Sequence, residues 1–209
     1  YNGTFGVEQG QGIVYITRDD PDGEDNGVMP CVRLRNAGNL CASNGISFAS
    51  DLPVYVEGDF NTNQTKAALV AGDAVTLLSK KWQDAGCSES YTNLSSRTPT
   101  NTTYDTVIMT GNKETALGDY NGGLENVLRF LEKWDAGGKT VTYRGAIIDL
   151  WDSEIADGAW SYGIYYTAPI RNWGYDPIYR YQAPPGMTKV FGMEEILWEK
   201  TTWLREGML

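Results

Sequence analysis

The sequence predicts a mainly β domain, solenoid-like or built of stacked sheets, with one prominent amphipathic helix at about 124–134. Short apolar runs of strand length recur along the chain, each closed by Gly, Pro, Asn or Asp. The runs follow one another as strand, turn, strand, which is how a chain writes the coils of a stacked β structure. One stretch, 124–134, holds helical spacing most clearly.

The elements follow in order. Gly12-Ile-Val-Tyr-Ile-Thr17 is a first strand, and residues 18–27 form a sharp acidic loop. Val32-Arg-Leu-Arg35 alternates as a half-exposed strand does. Two runs, 46–50 and 54–57, flank Asp51-Leu-Pro53, and the second ends in Gly58-Asp59. The pattern echoes at 67–72, 74–79, 106–111, 140–145 and 146–150. Residues 86–104 are dominated by Ser, Thr and Asn and read as an exposed loop. The helix rests on Leu124, Val127, Leu128, Leu131 and Trp134 sharing one face, with Gly122-Gly123 before it and Gly137-Gly138 beyond it. Residues 192–200 are a second helical candidate, although 198–204 serve equally as a strand. The Tyr-, Trp- and Pro-rich run 151–185 reads as irregular coil with short strands. No linker composition interrupts the chain, so 1–209 is expected to be a single domain.

Composition narrows the chemistry. Of the 209 residues 41% are hydrophobic, enough for a core of good size. The net charge of −10 argues against binding nucleic acid or docking on anionic lipid, since nothing neutralises phosphates. Its plain reading is solubility. Histidine is absent, which removes Ser-His-Asp and Cys-His catalysis and His-ligated zinc or haem. An enzyme built on this chain must use carboxylates, Tyr, Lys or metal-bound water. No apolar run reaches membrane-spanning length. The chain starts at Tyr1 without a signal peptide, which suggests a processed or trimmed amino terminus.

Several constellations carry candidate chemistry. Asp20, Asp22 and Asp25, around Gly23, alternate as calcium ligands do, but the loop lacks EF-hand spacing and reads equally as a solvated hairpin turn. No other cofactor is indicated. Cys31 and Cys41 suit one disulfide in an oxidising compartment, leaving Cys87 over; three ordinary small side chains are the alternative. Of the N-x-Ser/Thr sequons, Asn93 and Asn101 lie in the Ser/Thr-rich loop and are candidate glycosylation sites. Trp160, Trp173, Tyr175 and Tyr179 belong to the aromatic run, where core packing, a subunit interface and a sugar-stacking platform compete. Asp149, Asp152, Glu154 and Asp157 crowd together, and paired carboxylates are what glycoside hydrolysis needs. A surface cluster explains the same four residues, and no catalytic residue is assigned.

Ordered blocks of the chain resemble the carboxy-terminal region of bacterial PilX-type, type IV pilin-related surface proteins. The blocks are Gly45-Ile-Ser-Phe-Ala-Ser-Asp-Leu-Pro-Val-Tyr-Val-Glu-Gly-Asp-Phe-Asn-Thr62, then Lys66-Ala-Ala-Leu-Val-Ala-Gly-Asp-Ala-Val-Thr-Leu-Leu-Ser79. They continue with Gly122-Gly-Leu-Glu-Asn-Val-Leu-Arg-Phe-Leu-Glu-Lys-Trp134, Pro169-Ile-Arg-Asn-Trp-Gly-Tyr-Asp176 and Pro184-Pro-Gly186. The resemblance spans about 44–190. It implies an extracellular, cell-surface structural part associated with the pilus machinery, with no catalytic residues. A complete pilin needs an apolar amino-terminal helix, whereas residues 1–16 are polar and Gly-rich. The expectation is an outer globular subunit that assembles with a separate hydrophobic helix chain and with copies of itself. The competing expectations are a surface adhesin or carbohydrate-binding module using the aromatic run and, further off, a carboxylate-dependent polysaccharide-degrading enzyme.

Overall fold

The computed structural model describes residues 12–18, 29–85, 90 and 92–188. It is mainly β. In chain order the strands are β1 (Ile13–Ile16), β2 (Val32–Arg35), β3 (Ile46–Ser50), β4 (Val54–Glu57) and β5 (Ala68–Gly72). Then come β6 (Val75–Leu78), β7 (Thr102–Asn112), a short helix α1 (Leu124–Val127), β8 (Leu128–Phe130), β9 (Thr140–Asp152) and β10 (Ile170–Gly174). One sheet has the order β1-β3-β5-β7-β9-β10 and the other β2-β4-β6-β8. Every strand-to-strand pairing within both sheets is parallel. Through β8 the chain lays one strand in each sheet alternately, so successive coils stack into a β-solenoid.

The local chemistry explains the coils. β5 and β6 are apolar apart from Thr76 and buried at every position, as strands covered on both faces must be. The turn between β3 and β4 is Asp51-Leu-Pro53, and that between β5 and β6 is Asp73-Ala74, both too short for anything but a sharp corner. Gly45 holds φ +92 with Ala67 O pressed against it, a conformation and a closeness that leave no room for a Cβ. Asn61 takes φ +56 at the next corner. Its Nδ2 donates to Lys66 O and Asp105 O, while its Oδ1 accepts from Lys66 N. One buried amide thereby ties two coils together.

The inner core lies between the sheets. Ile46, Val54, Val56, Phe60, Val70, Val75, Leu77, Ile108, Leu128 and Phe130 fill it, closed at one side by Trp134, Tyr143 and Tyr166. A second, smaller cluster lies on the outer face of the six-stranded sheet. There Ala67, Leu69, Ala71 and Val107 are covered by Tyr179, with Tyr175, Ile178 and Met187 alongside. Residues 175–187 therefore strap back over the outer face. Ser47 Oγ donates to Pro185 O at 2.6 Å, and Gln182 Nε2 donates to Asn44 O at 2.9 Å.

The structure revises several boundaries. Strands β3 and β4 fall where the punctuation put them, whereas 140–145 and 146–150 merge into the single β9. The helix expected over 124–134 ends at Val127. From Leu128 the chain becomes a strand, because Val75 and Leu77 of β6 need partners and take Leu128 and Phe130. Val127, Leu128 and Trp134 are core as expected and Leu131 is half-buried, but from Leu128 the period is that of a strand. Leu124, meant to share the buried face, is 88% exposed. The Ser/Thr-rich loop also ends early: Thr102 and Tyr104 are buried in β7.

Candidate functional site

An exposed apolar surface grows from α1, the residues before it and the excursion 153–169. Tyr120 and Trp160 meet edge to face with centroids 5.7 Å apart. Trp160 Nε1 donates to Tyr166 Oη at 3.3 Å, and Tyr162 stacks edge-on against Tyr166 at 5.7 Å. Tyr166 Oη donates to Glu125 O, fixing this aromatic row to α1. Leu117, Tyr120, Leu124, Tyr162 and Ile164 are all exposed. A row of rings flanked by exposed aliphatic side chains, with Gly122 and Gly123 bringing the backbone against Trp160 and Tyr120, has the composition of an interface core.

Buried polar groups hold this patch rigid. Asp73 Oδ1 accepts from Glu154 N at 2.6 Å and Ile155 N at 3.2 Å, and its Oδ2 accepts from Ala156 N at 2.8 Å. Arg129 donates to Ala156 O and Ser153 Oγ from the neighbouring coil. The chain therefore leaves β9 in one fixed direction before it reaches Trp160.

A cavity of about 230 Å³ opens where residues 81–85 and 96–98 meet Glu132, lined by Lys81, Trp82, Gln83, Ala85, Ser96, Arg97, Thr98 and Glu132. Glu132 is 1% exposed at its floor. Burial pushes its carboxyl up from the ordinary range, while Ser79 N and Oγ, donating at 2.6 and 2.7 Å, pull it back.

A third cluster joins the strap to the sheet. Asp105 on β7 is 7% exposed, and its Oδ1 has no hydrogen-bond partner. Burial raises its pKa to about 8, helped by a hydrogen bond and charge repulsion from Asp176 and opposed by Arg144. Asp176 also accepts from Ile178 N, capping the 3-10 turn Pro177–Arg180 of the strap.

The residues singled out from sequence fall as follows. Asp20, Asp22, Asp25 and Cys87 lie outside the described residues. No disulfide joins Cys31 to Cys41, both of which are exposed; the nine residues between them run through β2 and its turn, which set their positions. Asn93 Oδ1 accepts from Ser95 Oγ, and the exposed Asn101 accepts from Thr140 N, which ties its side chain to β9. Tyr179 is 0% exposed with its hydroxyl turned to Ala68 O, so it is intramolecular core and not available to a partner. Tyr175 packs on it, and Trp173 packs on Tyr143 with Arg171 above its ring. Of the four aromatics Trp160 alone belongs to the exposed patch. Asp149 and Asp152 sit on the exposed end of β9, where partial burial and Asp152 raise Asp149. Glu154 and Asp157 point from the exposed excursion beyond it. Among the described residues no group of three His, Cys, Asp or Glu is placed to hold a metal ion.

Sequence reasoning passed over Asp73, Asp105 and Glu132. Their one signal was a lone acid inside or beside an apolar strand run. Comparison of the chain with family models, with curated proteins and with solved structures gives no match.

Proposed function

We propose that this chain is a structural subunit of a bacterial extracellular filament of type IV pilus character. It acts as an outer globular chain that assembles with a separate hydrophobic helix chain. The observation that carries the reading is the set of exposed Leu117, Tyr120, Leu124, Tyr162 and Ile164 around the half-buried Trp160, on a stiff scaffold. A helix with an apolar stripe buries such rings and leucines as a core does. The resemblance of the ordered blocks to pilin-related surface proteins supports the same reading. The test is to shear surface filaments from the source bacterium and label them with an antibody to this chain. Filaments labelled along their length are expected, and Leu124→Asp should reduce incorporation while circular dichroism stays unchanged. A chain found only as free monomer in the medium overturns the reading.

The cavity beside Trp82 favours a second reading, a carbohydrate-binding module. An aromatic wall with Arg97, Lys81, Gln83 and hydroxyl groups suits a sugar, preferentially an acidic one. Binding on a glycan array that is lost in Trp82→Ala and kept in Leu124→Asp separates this reading from the first.

A further inference from the structure

We infer that the outer edge of β10 accepts β1 of a second copy, so that the six-stranded parallel sheet continues from one molecule into the next. The inference deepens the filament reading and rests on it for biological context. Its geometry, however, is independent of the aromatic patch. Among the described residues β10 pairs with β9 alone, and β1 pairs with β3 alone. Ile170 N donates to Lys139 O, so the polar groups of β10 that serve β9 sit on Ile170, Asn172 and Gly174. Backbone groups of successive strand residues alternate in direction, which leaves the N–H and C=O of Arg171 and Trp173 facing outward. At the other end Gly12 O accepts from Ser47 N, which turns the groups of Ile13 and Tyr15 outward by the same alternation. Each edge offers two residues, and both belong to one all-parallel sheet. A copy placed end to end meets β10 with a strand running the correct way.

The side chains agree. Val14 of β1 and Trp173 of β10 both pack partly against the inner core, one at each end of the stack. Stacking joins two half-covered ends of the same core and removes both from water. Ile13 and Ile170 are exposed on the two edges and supply further apolar area. Charge selects the pairing. Arg171 lies over the Trp173 ring, so two β10 edges brought together oppose two arginines. The strand Ile13–Ile16 carries no charge of its own, and the sequence beyond it continues Thr17-Arg18-Asp19-Asp20, one cation followed by two acids. The contact uses different surfaces on its two sides, so it is heterologous and repeats into a fibre instead of closing as a dimer.

The test uses edge-blocking prolines. Arg171→Pro removes an outward N–H from β10, and Tyr15→Pro removes one from β1; neither residue donates to its existing neighbour strand. By sedimentation velocity the wild type should form concentration-dependent oligomers, and each variant alone should be monomeric. An equimolar mixture of the two should give one-to-one dimers and nothing larger, because one partner keeps a free β1 and the other a free β10. Ile170→Lys adds a second cation to the edge, leaves the backbone ladder intact and should weaken association at least tenfold should a proline variant misfold. A wild type that stays monomeric up to about 1 mM overturns the inference. So do variants that still dimerise alone, which marks a symmetric contact. Leu124→Asp should leave this association unchanged, so labelled filaments without edge association sink only the present inference.

Discussion

Replacing Asp105 by Asn should stabilise the protein, and more so as pH rises. The carboxyl lies under the strap on the outer sheet face, facing Asp176 and Tyr179 of the strap and Arg144 and Tyr143 of β9. Its pKa goes from an ordinary 3.8 to about 8 in the fold. The folded state therefore holds a proton that the unfolded chain has released. Stability is unaffected below the ordinary value, falls with pH between the two values, and is level above the upper one. At ~1.4 kcal/mol per unit the full interval sets a ceiling of roughly 6 kcal/mol. Relaxation and water entry in real proteins bring the effect nearer to ~2–3 kcal/mol, or about 5–10 °C in Tm for a chain of this size. The assay is thermal unfolding at pH 5 and pH 9, with hydrogen exchange on the strap. The wild type should lose stability between those pH values and expose residues 175–187 first, and Asp105→Asn should lose most of that slope. Glu132 and Asp149 are raised as well and add a residual slope of the same sign. An Asp105→Asn protein with an unchanged slope, or a wild type that gains stability towards pH 9, refutes the reasoning.

Three further outcomes are expected. Gly145→Ala should cost at least ~2–3 kcal/mol by urea titration, because φ is +147 and a Cβ there collides with Thr106 O of the adjacent strand. Asn61→Ala should cost about 3 kcal/mol in the same assay, since three hydrogen bonds at a buried corner lose their partner. Asp73→Ala should cost roughly 2–4 kcal/mol, having left three backbone N–H groups unpaired. In hydrogen exchange its effect should be concentrated at 153–169 and spare β3 to β6.

The coils were legible because each strand carries its own terminator. Val54–Glu57 ends at Gly58, whose φ of +83 a glycine takes without strain, and the same logic bounds β3. The parallel stacking was legible only as repetition, because the pairing of Leu69 with Val107 depends on a connection whose length the sequence does not constrain. The stretch 124–134 shows where periodicity misleads. Leu124, Val127, Leu128, Leu131 and Trp134 satisfy a helical stripe, yet Leu128 and Phe130 also satisfy alternation, and the exposed edge of β6 decides between them. Of the candidate surface, Trp160 was visible as one aromatic among many. What singles it out is Tyr120 arriving beside it from the segment before α1, with Tyr166 of the same excursion folded back onto it. The carboxyl pair Asp105–Asp176 was invisible, for neither residue has an informative neighbour in sequence.

The acidity itself gains a structural meaning. A net charge of −10 reads as a solvated surface, but several of the acids are bonded to backbone N–H groups at coil corners. Asp59 accepts from Thr103 N, Asp73 from Glu154, Ile155 and Ala156, Glu132 from Ser79, and Asp176 from Ile178. A solenoid coil that departs from its sheet leaves donors unpaired, and a carboxylate satisfies two or three at once where a carbonyl satisfies one or two. The two surface features that differ most from a plain solenoid, the aromatic patch and the cavity, each hang on such a carboxylate, Asp73 and Glu132. It follows that protonating or removing these acids should act first on the excursions and only afterwards on the stacked strands. The loops of this protein owe their order to its charge, and the sheets owe theirs to the core.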